Sequence, residues 1–334
     1  MSFRSNLPYA APLSLTICLW VALAFVLAGC ATEGSRIVFT SDRDGNLEIY
    51  SISSTGEDER NLTQSNRDEH SPLLSQNRSL IAFLTGTSER SALEVMRTDG
   101  SERIQIANGE LLSDHRWSPA GERIAFLGRQ GDRKRVMVGY TDGSGSGLLT
   151  SIEADEVGDW ARNGEYVAFA LTEWDGQGIY VRNPDGVNEL RLSDQPDYSP
   201  RWSPSSRQIA FLSTRDGNPE LYIMDADGTN VRRLTNTEGA EYDIAWSPRG
   251  RRILFVSEQD GNPEIYSVAN DGTDMTRLTY NTVVDNQPVW APSGQLIAFV
   301  SYLDGDADIF VMDADGSNQK RLTDNDADDT SPSW

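Results

Sequence analysis

Apolar residues along this chain come in short runs bounded by Gly, Pro, Asp, Asn or Ser, and the runs recur at a nearly fixed interval. Phe39, Phe83, Phe126, Phe169, Phe211, Phe255 and Phe299 mark the period, with spacings of 44, 43, 43, 42, 44 and 44 residues. Nine positions before the last six stand Leu74, Trp117, Trp160, Trp202, Trp246 and Trp290. A turn such as "SPAG", "ARNG", "SPRG" or "APSG" separates each from its Phe. Downstream comes a second turn ("DRDGN", "TRDGN", "SEQDGN", "YLDGD") and an apolar pair such as Ile49-Tyr50 or Ile265-Tyr266. A third turn of the "DADG" type leads into "RLT". Runs this short fall below helix length, and Ser-Pro and Asn-Pro would break a helix. Asp-Gly suits tight hairpins, where φ > 0 is required. Each copy therefore predicts four strands, a (ending in Trp), b ("IAF"), c ("IY") and d ("LT").

A four-stranded meander repeated about every 43 residues is the signature of propeller blades. The first copy has b, c and d but no a, because nine residues before Phe39 lies Cys30. The chain ends on "SPSW", with Trp334 44 residues after Trp290. A lone strand a at one end matches the copy that lacks one at the other. The expected fold is all-β, a seven-bladed β-propeller over 36–334, closed by the C-terminal strand joining the N-terminal blade. The periodic Trp and Phe are read as packing between blades, at roughly 1.5–3 kcal/mol per large apolar side chain.

The first residues differ in kind. Arg4 is followed by a mostly apolar run, "LSLTICLWVALAFVLAG", over 13–29. A positive start, an apolar stretch and small residues at its end read as an export signal. "LAGC" at Leu27–Cys30 resembles the bacterial lipobox, and that resemblance implies lipid on Cys30. The expected organisation is a signal peptide at 1–29, a short lipid-anchored linker at 30–35 and the propeller after it. The competing reading is an uncleaved anchor. Either one places the protein outside the cytoplasm, in the periplasm or at the cell surface. With Cys18 in the signal and Cys30 lipidated, no thiol remains in the propeller for a disulfide, metal site or nucleophile.

Fifty-one Asp and Glu against 29 Lys and Arg give a formal net charge of -22, which argues against nucleic acid as a partner. In a meander the a–b and c–d turns share one face, and the b–c and d–a connections share the other. The d–a connections hold 17 acids against one base, Arg67. The a–b turns hold Arg78, Arg123, Arg162, Arg207, Arg249, Arg251 and Arg252 against Glu122 and Glu165. An anionic face for partners and an Arg-bearing face toward anionic lipid are expected.

The repeats "RWSPSSRQIAFLSTRDGNPELYIMDADGTNVRRLT" and "AWSPRGRRILFVSEQDGNPEIYSVANDGTDMTRLT" closely resemble the TolB-type propeller repeat, from about Arg36 to Trp334. The resemblance is loosest in copies 1 to 3. It implies the propeller fold and, through the family's namesake, a periplasmic partner of envelope lipoproteins. With the residues of this chain the expectation is an extracytoplasmic, non-enzymatic module or envelope scaffold that binds an envelope protein or peptide, or a glycan, as a monomer. The family's namesake carries an α/β domain before a six-bladed ring; this chain shows seven copies and no such domain, so a TolB-like lipoprotein is the expectation.

Aromatic residues outside the core period are the partner-binding candidates: Trp174 and Tyr302 in b–c turns, and Tyr198 and Tyr242 four residues before a Trp. The alternative for Tyr198 and Tyr242 is that they line the tunnel mouth. Catalytic patterns are sparse. "GSGSG" (143–147) has Gly145 where a nucleophile elbow needs Ser. Prolyl-oligopeptidase-like enzymes append a hydrolase domain after such repeats, and no residues for one follow Trp334. A metal-dependent oligosaccharide lyase, whose related seven-bladed family uses several His ligands, is the enzyme alternative. For it the propeller offers His70 and His115, with Asp114. No cofactor is expected; the exception is structural Ca²⁺ at Asp324, Asp326 and Asp328, whose i, i+2, i+4 spacing suits an oxygen-ligated ion.

Overall fold

The computed structural model describes Met1 and residues 36–87, 90–172 and 176–334. Residues 2–35, where the signal and the linker with Cys30 are expected, and Trp174 lie outside the described residues. Within 36–334 the described strands form seven antiparallel four-stranded sheets. Among the described residues no helix is long and apolar enough to cross a membrane.

Blade 1 is assembled from both ends. Its strand a is Asp329–Ser333, and strands b, c and d are Arg36–Ser41, Glu48–Ser53 and Arg60–Asn61. Ser333 pairs with Val38 and Asp329 with Ser41. The Arg43 guanidinium donates to both oxygens of Asp329 at 3.0 and 2.9 Å, and Asp328 N donates to Asp42. The seam is thus a backbone ladder with an ion pair across it, the aspartate buried and the arginine partly exposed. In the other blades strand a is Glu69–Leu74, Ser113–Trp117, Glu156–Trp160, Asp197–Trp202, Glu241–Trp246 and Asp285–Trp290. These inner strands contact one another around the ring.

The repeat residues explain themselves one by one. All seven period-marking Phe are 0–1% exposed. Five of them sit against the strand c aromatic opposite, as in Phe169–Tyr180 at 5.3 Å and Phe255–Tyr266 at 5.6 Å between ring centroids. Trp ties neighbouring blades: Trp117 Nε1 donates to Leu73 O at 2.8 Å, Trp160 to Arg116 O at 3.1 Å and Trp246 to Arg201 O at 2.9 Å. The Thr of "RLT" ("NLT" in blade 1) follows a short strand d and accepts the N–H of Ile49, Leu221, Ile265 and Ile309 at 2.9–3.0 Å.

The "DGN" turn carries four jobs. Its Asp accepts the strand c tyrosine hydroxyl (Tyr222 to Asp216, Tyr266 to Asp260), and burial with that bond pushes both tyrosines up to about 12. The same Asp pairs with the strand d arginine, Arg277 to Asp260 at 2.8 Å. Gly261 supplies φ +96, open to glycine with little strain. Asn262 donates to Val283 O at 2.6 Å, tying the turn to the connection that enters the next blade.

Candidate functional site

Strand a does not run straight. Its register with strand b shifts in every blade. In six of them a non-glycine residue at the shift takes positive φ: Ser71, Asp114, Ser199, Asp243, Gln287 and Ser331, at 49–56°. A bulge of this kind re-aims side chains and frees backbone N–H groups. Here the freed N–H groups bond to the preceding blade: Ser199 N to Glu156, Gln287 N to Asp243 at 3.0 Å, and Ser331 N to Gln287 Oε1 at 2.7 Å. Polar bonds along the inner wall therefore join blades 4 and 5, 6 and 7, and 7 and 1.

Six charged side chains of this wall gather in blades 3 to 6. Arg116 Nε lies 3.3 Å from Asp159, and Arg201 Nη1 lies 3.5 Å from Glu156, with the arginine side chains 25% and 19% exposed. Burial, then the neighbouring Arg201, lowers the Arg116 pKa. Burial also opposes the charge on Arg201, but Asp159, Glu156, Asp114 and Asp243 outweigh it and raise its pKa. Burial raises Asp114 and Asp243; solvent reaches Asp243, but protein surrounds it. Four acids face two arginines, so the wall favours a cationic or zwitterionic group such as a lysine side chain or chain terminus. None of these six was a binding candidate from sequence except Asp114. Arg116 and Arg201 occupy the unremarkable position before Trp, and only ring closure turns that position into a wall.

Tyr198 and Tyr242 lie on strand a of blades 5 and 6, half-buried against the core between them. Burial pushes Tyr242 up to about 12, and burial with Glu156 raises Tyr198. Tyr302 is half-buried at the blade 7 turn, its N–H bonded to Val284 O at 3.1 Å. Two other side chains on connections of this face are more exposed: Tyr280, whose hydroxyl donates to Arg277 O, is 71% and Leu303 55% exposed. Tyr280 opens the connection into blade 7 and Leu303 follows Tyr302; the sequence period flagged neither. On this face an open depression of about 430 Å³ lies at the ring seam, lined by Asp42, Arg43, Asn325, Asp326 and Ala327. Of its lining residues Asp42 and Asp326 are exposed, and exposed Asp44, Asp304, Asp324 and Asp328 lie on b–c and d–a connections of the same face.

The expected charge contrast between faces needs two corrections. Glu69, Asp197, Glu241, Asp285 and Asp329 are buried at the root of strand a, so they belong to the fold rather than to an anionic surface. The Arg-bearing face also carries the c–d turns, whose Asp99, Asp142, Asp185, Asp227, Asp271 and Asp315 are placed there by the same meander. Arg162, Arg207, Arg249 and Arg251 are exposed and ion-pair with no described residue, so that face has a cationic inner arc within an acidic outer ring.

The predicted calcium residues do not converge. Asp324 pairs with Arg321 at 3.0 Å, and Asp328 accepts Ala307 N at 3.0 Å. Among the described residues the three carboxylates close enough for one ion are Asp304, Asp306 and Asp308. His70, His115 and Asp114 form no such group among them. The His115 ring is buried, and burial followed by Arg116 pushes its pKa down to about 3.

The sequence profile of the TolB beta propeller domain matches residues 29–198 and 195–302. Among solved structures, TolB from Acinetobacter baumannii superposes with a TM-score of 0.63 at 16% identity, over 90% of this chain and 66% of that one. An oligogalacturonate lyase in complex with manganese gives 0.67 at 15%, over 84% and 86%. The β-propeller domain of the trilobed protease from Pyrococcus furiosus gives 0.67 at 14%, over 88% and 96%. Identities this low establish the shared fold alone. No curated protein sequence matches the chain.

Proposed function

Since the chain belongs to the TolB β-propeller family, a fold shared by binding modules and enzymes, we propose that it is a non-enzymatic binding module, exported and lipid-anchored through Cys30. It binds an envelope protein or peptide, by a basic segment, on the face bearing the b–c and d–a connections. The supporting observation is the exposure of Tyr280 and Leu303 on connections of the face that carries Tyr302, together with the exposed carboxylates of Asp42, Asp304, Asp324 and Asp326 on the connections of that same face. Aromatic anchors on an acidic face suit a partner that brings Lys or Arg and an apolar side chain. The charged channel wall beneath offers a place for one inserted basic group.

The test is capture of envelope proteins by the full chain, compared with Tyr280→Ala/Leu303→Ala and Tyr302→Ala variants. The expected result is one retained partner, lost at high salt and weakened at least tenfold by the double substitution. Equal capture by the double variant sinks the face assignment, while Cys30→Ala tests the anchor separately by releasing the protein from membranes. The competing lyase reading has one observation in its favour, the likeness to a manganese-bound oligogalacturonate lyase. Unsaturated product released from oligogalacturonate with manganese present would replace the binding reading.

A further inference from the structure

The acid that opens strand a is neutralised in some blades and not in others. In blade 1 Arg43 holds Asp329, and in blade 5 Arg215 holds Asp197, each arginine lying two residues after the serine that ends strand b. In blade 2 Arg103 holds Glu69 at 2.6 Å. Blade 6 has Gln259 where Arg215 stands in blade 5, so Glu241 has no guanidinium of its own. Its oxygens take the hydroxyls of Thr235 at 2.5 Å and Thr237 at 2.6 Å, with Leu221 N at 3.3 Å.

Facing Glu241 is another carboxylate, Glu220 of blade 5, and the two are 1% and 0% exposed. Glu220 Oε1 accepts Thr237 N at 2.8 Å and Arg233 at 2.5 Å, while Oε2 is buried with no hydrogen-bond partner. The charged groups around the pair are Arg233 and, 3.5 Å behind it, Asp216. Strand b of blade 6 contributes Ser257 opposite Glu241, then exposed Glu258 and neutral Gln259. Two ionised carboxylates would share one partly exposed guanidinium, leaving a buried negative charge and an orphan acceptor. One proton cures both defects, because a protonated Glu241 can donate to Glu220 Oε2.

We infer that Glu241 is a proton-binding site, holding a proton against Glu220, and that loss of this proton loosens the seam between blades 5 and 6. Burial, then the apposed Glu220, pushes Glu241 up to about 7 against the pull of the two threonines. Blade 7 repeats the device: Leu303 stands where Arg43 and Arg215 stand, Glu264 faces Asp285, Asp285 Oδ1 is buried without a partner, and burial raises Asp285. Blade 6 is thus flanked on both sides by acid pairs that lack the turn arginine.

The sign follows from linkage. A folded-state pKa above the unfolded one means the native state keeps the proton longer. Stability is then highest below the unfolded value, falls as pH rises toward 7, and levels off above it. The experiment is urea unfolding of the full chain at steps between about pH 5 and about pH 8, for wild type, Glu241→Gln and Gln259→Arg. Wild type should lose roughly tenfold or more in its folding equilibrium across that interval. Glu241→Gln should lack that step, and Gln259→Arg should remove it by supplying the missing guanidinium. The infrared band of a protonated carboxyl should be present in wild type near pH 6 and reduced in Glu241→Gln. Equal pH slopes in wild type and both variants would overturn the inference. So would saturable rescue by calcium chloride near pH 8 that Glu241→Gln abolishes, since the pair would then hold a metal ion. If Glu241→Gln fails to fold, Gln259→Arg, which removes no acid, carries the decision.

Discussion

Single positions matter in this fold through what their counterparts do in other blades. Asn46, Asn218 and Asn262 each donate an amide hydrogen to the connection ahead, as in Asn46 to Arg67 O at 3.0 Å. Blade 7 has Asp306 there, an acceptor only, and its Oδ2 is buried with no partner. Asp306→Asn should therefore stabilise the protein by about 1 kcal/mol, read as a higher urea midpoint with unchanged slope. The period-marking Phe positions predict the opposite sign. Phe211, fully buried against Tyr222 at 5.7 Å, should cost about 3–5 kcal/mol when cut to Ala. Phe and Trp were legible from their spacing, since burial imposes periodicity on apolar residues. Arg116, Arg201 and Tyr280 were not, because polar and exposed positions answer to neighbours from other blades.

Strands and turns were the most readable level. Each blade is local in sequence, so alternation of apolar runs with Asp-Gly turns specifies its four strands before any tertiary contact is known. The short strand d, two residues in blades 1, 5, 6 and 7, stands only because Thr and Arg side chains extend its bonding. The exception to locality is blade 1, whose strand a comes from the far end of the chain. Arg43→Ala would leave Asp329 buried without its cation and should cost about 3–5 kcal/mol, measured by urea unfolding. Deleting 329–334 should lower the melting temperature further by exposing an unpaired strand b edge. An unchanged melting temperature after that deletion would show that the seam does not hold the ring.

At the scale of the molecule, net charge gives a poor map. The chain carries -22 overall, yet Glu69, Asp197, Glu241, Asp285 and Asp329 at the roots of strand a, and Glu48, Glu94, Glu220, Glu264 and Asp308 on strand c, are buried and add nothing to either face. Partner capture on the Tyr280–Leu303 face should weaken steeply with ionic strength, because the carboxylates around it are exposed and screened by salt. An equilibrium insensitive to salt would point to apolar contact alone. The inner arc of Arg162, Arg207, Arg249 and Arg251 is framed by acidic c–d turns, which sets attraction and repulsion for anionic lipid side by side.

By itself the sequence determined the number of blades, the strands within each, the residues that pack between them and the meeting of the two chain regions in blade 1. Those features rest on local periodicity and on apolar surface that must be buried wherever the blades stack. Only the tertiary structure decided which acids are structural, which side chains line the channel, and that Glu241 faces Glu220 with no arginine of its own. These properties depend on distances between residues of different blades, and a carboxylate's charge is set by whatever stands within a few ångströms of it.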